Sequence, residues 1–171
     1  MNNPKAELRP RLKQKRLDLS SDQRAKFSQL INKTLETITP WTEVKRLHCF
    51  EPLLELGEVD ISGFIEYLRS SYLGLELMTS RKLAGSWQVV TLDNQLVEKP
   101  YFDVVIVPML GFDSSLQRLG NGGGYYDKLL ATQPQVLKIG VCFEVGKTQH
   151  IPKDPHDIAM DVVVSEEQIY R

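Results

Sequence analysis

The residues best suited to chemistry lie between Arg118 and Asp127, in the stretch RLGNGGGYYD. Gly120, Gly122, Gly123 and Gly124 let the backbone take positive φ and come close to a ligand. The apolar run Val104 to Val107 precedes this stretch, and Lys128, Leu129 and Leu130 follow it in helix-forming style. Strand, glycine loop and helix in that order present unpaired N–H groups at a helix N-terminus, where the dipole is positive and anions bind. Arg118 on one side adds a guanidinium that grips anions. Asp127 on the other adds a carboxylate able to hold a metal that also touches phosphate. The expectation is a phosphate cradle. The loop is neither a Walker A motif, since no Gly-Lys-Ser/Thr follows, nor a dinucleotide fingerprint, since the glycine spacing differs. The plainer alternative is a surface turn, but a turn needs one or two glycines, not this many.

Three further carboxylate and histidine questions arise. Asp157, in the loop PHD, and Asp161 lie near the strand that starts at Met160. Asp127 and Asp157 at one sheet edge would suit magnesium, which takes one or two carboxylates plus phosphate oxygens and keeps several waters. The alternative for Asp157 is a loop residue capping a turn. His48, His150 and His156 show no metal-ligand spacing, and His48 reads as a strand residue. No Ser-His-Asp or Cys-His signature is present. Cys49 and Cys142 lack CxxC spacing and read as two buried thiols, which fits a reducing compartment. Tyr125 and Tyr126 either stack on a planar ligand or pack the helix start. Successive helical residues point in different directions, so one of the pair is expected to face inward.

The elements that position these residues follow from periodicity. Pro4 to Leu17 reads as a basic helix with Leu8 and Leu12 on one face. Lys5 and Arg9 are a turn apart on the same side. Ser20 and Gln23 form a capping box opening a second helix to about Ile38, with Phe27, Leu30, Ile31, Leu35 and Ile38 at helical spacing. Val44 to Phe50 is a strand, and Asp60 to Tyr72 a third helix. Leu75 to Met78 and Ser86 to Leu92 are short strands in the weakest region, Thr79 to Pro100. Asp103 to Val107, Val136 to Phe143 and Met160 to Val164 are buried-type strands, and the tail from Ser165 is expected to form a short helix. Alternation of strands and helices indicates an α/β protein, a sandwich with a mostly parallel sheet, whose ligands bind at the carboxyl ends of strands.

The chain has 171 residues and a net charge of −1, so residues 1–171 are expected to form a single domain and the molecule as a whole is no electrostatic trap for nucleic acid or membrane. The N-terminus lacks a signal-peptide core, and no apolar run reaches the length of a membrane span. The cytoplasm is the expected compartment.

Four blocks in this order and spacing resemble the 5-formyltetrahydrofolate cyclo-ligase (5,10-methenyltetrahydrofolate synthetase) family: the glycine loop with its YYD, the upstream VPMLGFD, the N-terminal K-x-x-L-R (Lys5, Leu8, Arg9) and the late PHDIAMD. The resemblance implies a three-layer α/β/α sandwich and a ligase of one-carbon folate metabolism. Such an enzyme uses ATP as co-substrate and Mg2+ to convert 5-formyltetrahydrofolate into 5,10-methenyltetrahydrofolate, ADP and phosphate. By the same resemblance, Lys5 and Arg9 contact the nucleotide, with Lys5 neutralising the transferring phosphate. Arg118, Leu119, Gly120, Asn121, Gly122, Gly123, Gly124, Tyr125 and Tyr126 cradle the ATP phosphates. Asp127 and Asp157 bind the metal. Phe50, Leu53 and Glu58 line the folate pocket, and Tyr125 packs by the reacting centre; Lys5, Arg118 and Tyr125 form the catalytic set. The implied partner is a small molecule, with a polyglutamate tail on the folate as an added expectation, acting on a monomer without membrane or nucleic acid.

Departures from the family pattern are Asn121 in place of a larger basic or aromatic residue, Met109 in place of glycine and Gly146 in place of glutamine. A G-I-x-E-P block is also absent between the middle strands and Asp103. They motivate two alternatives: a diverged relative that keeps ATP and magnesium for another substrate, and a non-enzymatic nucleotide- or RNA-binding protein using the basic first helix.

Overall fold

A computed structural model describes residues 4–171. Helix α1, Pro4–Asp18, turns Lys5, Leu12 and Arg16 inward, positions that share a face at spacings of seven and four residues. Two of its cations thus leave the solvent side. Helix α2, Ser21–Thr37, begins as its capping box requires. Ser20 Oγ accepts from the Gln23 N–H at 3.1 Å, and Gln23 Oε1 accepts from the Ser20 N–H at 2.8 Å. Helix α3 is Ser62–Ser71 and α4 is the short Tyr125–Ala131.

Strands β1 (Arg46–His48), β2 (Glu76–Leu83), β3 (Ser86–Thr91), β4 (Val104–Pro108), β7 (Leu137–Val141), β8 (Val162–Val164) and β9 (Ile169–Tyr170) form one sheet in the order β3-β2-β1-β4-β7-β8-β9. The inner strands from β2 to β8 are parallel, and the two edges are antiparallel. A separate small ribbon pairs β5 (Gly111–Phe112) with β6 (Arg118–Leu119).

Period-two alternation divides the sheet's side chains between two layers. Val104, Ile106, Ile139, Val141, Val162 and Val164 pack with Ile31, Leu35, Phe64 and Leu68 of α2 and α3. Val105, Val107 and Val163 face the opposite way, against Leu129 and Leu130 of α4. Leu12 of α1 joins Leu110, Leu119 and Ile151 in a smaller cluster, which docks the first helix beside the β5–β6 ribbon. The result is the expected α/β/α sandwich with a mostly parallel sheet. Truncating a fully buried residue such as Ile106 to alanine would cost about 3 kcal/mol, the transfer energy plus a cavity.

Two segments differ from expectation. The tail does not form a helix: Ser165 Oγ accepts from the Glu167 and Gln168 N–H groups, which turns the chain back so that β9 pairs with β8. The open edge of the valine strand offers unpaired backbone groups, and satisfying them outweighs a weak helix preference. Thr79 to Leu83, weakly marked in the sequence, is strand and continues β2 into a hairpin with β3. Its two-residue turn, Ala84 (φ 47°) and Gly85 (φ 84°), takes the left-handed conformations that match strand twist. Met109, in place of the family glycine, has its counterpart across the sheet: a Cβ on Gly140 would lie 2.5 Å from Met109 Cε. The side chain fills space that glycine at 140 leaves open.

Candidate active site

One cavity of about 470 Å³ opens beyond the carboxyl ends of β1, β2 and β4, where Phe50, Ser80 and Pro108 line it. This is the end of a parallel sheet at which ligands bind. The glycine loop, between β6 and α4, forms one wall. Gly122 has φ +97° and Gly124 φ +63°, which side chains resist. A Cβ on Gly122 would meet the Arg9 guanidinium carbon at 3.3 Å, and Arg9 Nε donates to the Gly120 carbonyl at 3.1 Å. Helix α1 thus clamps the loop. With only seven residues, α4 has a modest dipole, so the positive character of this wall comes mainly from side chains.

Three cations supply it. Arg9 lies over the loop. Lys5 is 7% exposed and reaches Asp154 Oδ2 at 2.7 Å and Asp157. Burial disfavours the Lys5 charge, but the two carboxylates outweigh it and raise its pKa. Burial likewise works against the Asp157 charge, yet the Lys5 contact holds its carboxyl below the usual value. Arg118 Nη2 is 2.5 Å from Asp127 Oδ1, and both side chains are largely buried. Arg118 Nε and Nη2 nevertheless have no aligned hydrogen-bond partner among the described residues. Buried guanidinium N–H groups left over in a cavity wall are suited to an anion that completes them.

Asp154, His156 and Asp157 bring ligand atoms within 4.8 Å of one another. Asp127 holds Arg118 and accepts from the Ile158 N–H, next to Asp157, at 3.2 Å. Asp161 lies away from the cavity, bonded to the Lys138 N–H and ammonium at 2.8 Å each. Asp154 and Asp157, which share the cavity with the glycine loop, form an oxygen donor set of the kind that fits a magnesium ion completed by a ligand's oxygens.

The opposite wall is aromatic. Phe50 and Leu53 line it, and Trp87 packs against Tyr125 with ring centroids 5.2 Å apart and planes tilted by 37°. Glu58, 7% exposed, accepts from the Leu53 N–H at 3.0 Å and from Asn121 Nδ2 at 3.4 Å, which ties this wall to the glycine loop. Tyr126 is the inward member of its pair, edge-on to His48 at 5.9 Å, and burial pushes its pKa well up.

Every candidate site residue from the sequence lines this cavity: Lys5, Arg9, Phe50, Leu53, Glu58, Arg118 to Asp127, and Asp157. Sequence reasoning passed over Ser80, Arg81, Lys82, Trp87, Asp154 and His156, which line it too. The available signal for Trp87 was a large aromatic at the start of a short strand, on the face it shares with Val89; Asp154 was marked only by sitting three residues before Asp157.

Comparison with known proteins gives a consistent result. The model of the 5-formyltetrahydrofolate cyclo-ligase family matches residues 67–166. A 5-formyltetrahydrofolate cyclo-ligase of Mycoplasma pneumoniae is 29% identical over 165 residues, covering 94% of this chain and 97% of that one. The Mus musculus enzyme of the same name is 26% identical over 98% of this chain and 96% of its own. Among solved structures, a 5,10-methenyltetrahydrofolate synthetase from Mycoplasma pneumoniae superimposes with TM-score 0.83 at 27% identity, covering 95% of this chain and 98% of that one. One from Aquifex aeolicus superimposes with TM-score 0.79 at 26% identity, covering 98% and 92%. With its glycine loop, flanking cations and aromatic wall in one cavity, this chain belongs to the 5-formyltetrahydrofolate cyclo-ligase family.

Proposed function

We propose that this protein is an ATP-dependent ligase that cyclises 5-formyltetrahydrofolate to 5,10-methenyltetrahydrofolate, with release of ADP and phosphate. The observation that carries the reading is one cavity with two unlike halves. A cationic glycine-loop half suits a polyphosphate, and an aromatic half with one buried carboxylate, Glu58, suits a planar ring bearing N–H donors. The reading further takes residues 1–171 as one domain, acting as a cytoplasmic monomer.

The chemistry follows from that division. The formyl oxygen cannot leave as hydroxide. Its attack on the γ-phosphorus of ATP breaks the bond to ADP and makes it a phosphate ester. N10 of the folate then attacks the formyl carbon and loses its proton, and inorganic phosphate departs with the C–O bonding pair, leaving the methenyl cation. Little covalent work falls to the protein; positioning and charge neutralisation dominate. Lys5, Arg9 and Arg118 neutralise the phosphates, and Lys5 exchanges its carboxylates for the transferring phosphoryl oxygens. The loop N–H groups orient the polyphosphate. Glu58 accepts from the pterin N–H groups, and Phe50, Leu53 and Trp87 exclude water. Asp154 and Asp157, with Asp127 close to the same loop, would hold Mg2+, which supplies charge neutralisation on the phosphates.

The G-I-x-E-P block, absent from this chain, motivates the reading of a relative with a different substrate. Yet no residue from 88 to 107 lines the cavity; 92–101 folds back along the sheet edge through the bridge between Val90 and Leu96. In the cyclo-ligase reading the ring is met by Phe50, Leu53, Glu58 and Trp87, all of which line the cavity without that block. The deciding experiment is absorbance of methenyltetrahydrofolate formed by purified protein with folinate, ATP and magnesium, each omitted in turn. Product that needs all three supports the reading; ATP binding without product overturns it in favour of another substrate.

A further inference from the structure

His48 is a buried histidine with no part in the chemistry above. It lies on β1 with no exposed surface, edge-on to Phe102 at 5.2 Å and to Tyr126 at 5.9 Å. Burial lowers its pKa to about 3, so the ring is neutral and carries one proton. Nε2 is 2.7 Å from Ser80 Oγ on the neighbouring strand. Ser80 Oγ is in turn hydrogen-bonded to the Tyr125 hydroxyl. A line of three polar groups therefore runs from the core to the cavity, where Ser80 and Tyr125 both form the wall.

The direction of that line follows from counting partners. Nδ1 of His48 has no hydrogen-bond partner among the described residues. The proton is assigned to Nε2, since a buried N–H without an acceptor is rarer than an acceptor without a donor. His48 then donates to Ser80, and Ser80 donates onward to the Tyr125 oxygen. That oxygen's accepting side is occupied, which leaves the Tyr125 O–H to point into the cavity. Burial raises the Tyr125 pKa and the Ser80 contact acts the other way, so the phenol keeps its proton near neutrality. Trp87 packs against the ring at a tilt of 37°.

We propose that His48 and Ser80 are positioning residues that hold the Tyr125 hydroxyl as a donor into the cavity, oriented toward the oxygen anion that develops during the reaction. The proposal rests on the cyclo-ligase reading of this cavity. A pre-oriented O–H stabilises charge on the formyl-derived oxygen as it becomes phosphate, without reorganising at the moment of reaction. A tyrosine free to rotate its hydroxyl would lose part of that effect.

The test combines kinetics with a spectroscopic signature. Tyr125→Phe lowers kcat about a hundred-fold and Ser80→Ala about ten-fold, the scale of losing or misorienting one preorganised donor, while KM for ATP stays within about two-fold. Because both act through one hydroxyl, the double variant is no slower than Tyr125→Phe. His48→Gln, which keeps an amide N–H, stays near wild type, and His48→Leu falls to the level of Ser80→Ala. In [13C]tyrosine NMR at neutral pH, with the signal assigned by its loss in Tyr125→Phe, Ser80→Ala moves the Tyr125 Cζ signal, since a donor to its oxygen is gone. A serine that makes no bond to the phenol would leave that signal unmoved. Wild-type kcat in Ser80→Ala, additive losses in the double variant, or an unshifted signal each overturn the proposal. If the histidine variants do not fold, the Ser80–Tyr125 cycle decides alone. If the wild-type protein makes no methenyltetrahydrofolate, the reading of the site fails, and the Cζ signal still decides whether Ser80 donates to Tyr125.

Discussion

The two walls of the cavity are built in opposite ways. The glycine-loop wall comes from one continuous stretch, Arg118 to Asp127, clamped by α1 through Arg9. The aromatic wall is assembled from segments remote in sequence: Phe50 and Leu53 after β1, Glu58 before α3, Ser80 and Trp87 on the β2–β3 hairpin, and Tyr125 from the loop itself. A polyphosphate is recognised by backbone N–H groups and by cations of no particular shape, which a short glycine-rich segment supplies locally. A planar ring needs apolar surface on its faces and an acceptor at its edge, and these must come from several strand ends at once. Asn121 links the walls by donating to Glu58 at 3.4 Å.

The comparison is tested most strongly at Lys5. If the loop wall works through specific contacts, Lys5→Ala lowers kcat about a hundred-fold or more, while Lys13→Ala, exposed on the same helix, stays within about two-fold. Equal losses in steady-state assays would show that only the general charge of α1 matters. Asp127→Ala comes next. It abolishes magnesium-dependent turnover and also strands the buried Arg118, at a cost of about 3 kcal/mol read from the shift in urea midpoint. Asp127→Asn keeps an acceptor for Arg118 and separates the two effects; full activity in either variant would remove Asp127 from the metal assignment. On the other wall, Trp87→Ala raises KM for the folate about ten-fold and leaves KM for ATP nearly unchanged if, as proposed, Trp87 and its neighbour Tyr125 meet the ring. Equal changes in both constants would mean that the walls do not divide the substrates.

The smallest effect is electrostatic. The Asp157 carboxyl is held below its ordinary 3.8 by Lys5, so the pair's contribution to stability is complete above about pH 4 and is lost as acid titrates the folded carboxylate. Lys5, with its pKa raised above 10.5, contributes fully below that value and loses its contribution only as pH rises through the higher folded value. Thermal melts of Asp157→Asn should therefore parallel wild type at pH 3 and diverge above pH 5; divergence confined to alkaline pH would contradict this.

How much of this was legible in the sequence varied with the range of the forces involved. The capping box at Ser20 and the apolar strand at Val104 were readable because hydrogen-bond spacing and continuous burial are local. The hairpin was not, since its turn is Ala84-Gly85, without the Asn-Gly or Asp-Gly signal. The tail was misread because Ile169 and Tyr170 take their conformation from an open edge of the sheet, not from their own preferences.

The amino-acid sequence by itself determined the α/β sandwich with a mostly parallel sheet, the glycine loop with its flanking Arg118 and Asp127 and, through the resemblance of four motif blocks, the family with its three-layer arrangement, because periodicity and contiguous motifs survive without coordinates. Only the tertiary structure decided that Asp127 holds Arg118 while Asp154 joins Asp157 at Lys5, and that His48 reaches the cavity through Ser80. Those outcomes depend on which strand lies beside which and on what burial leaves each polar group to bond with.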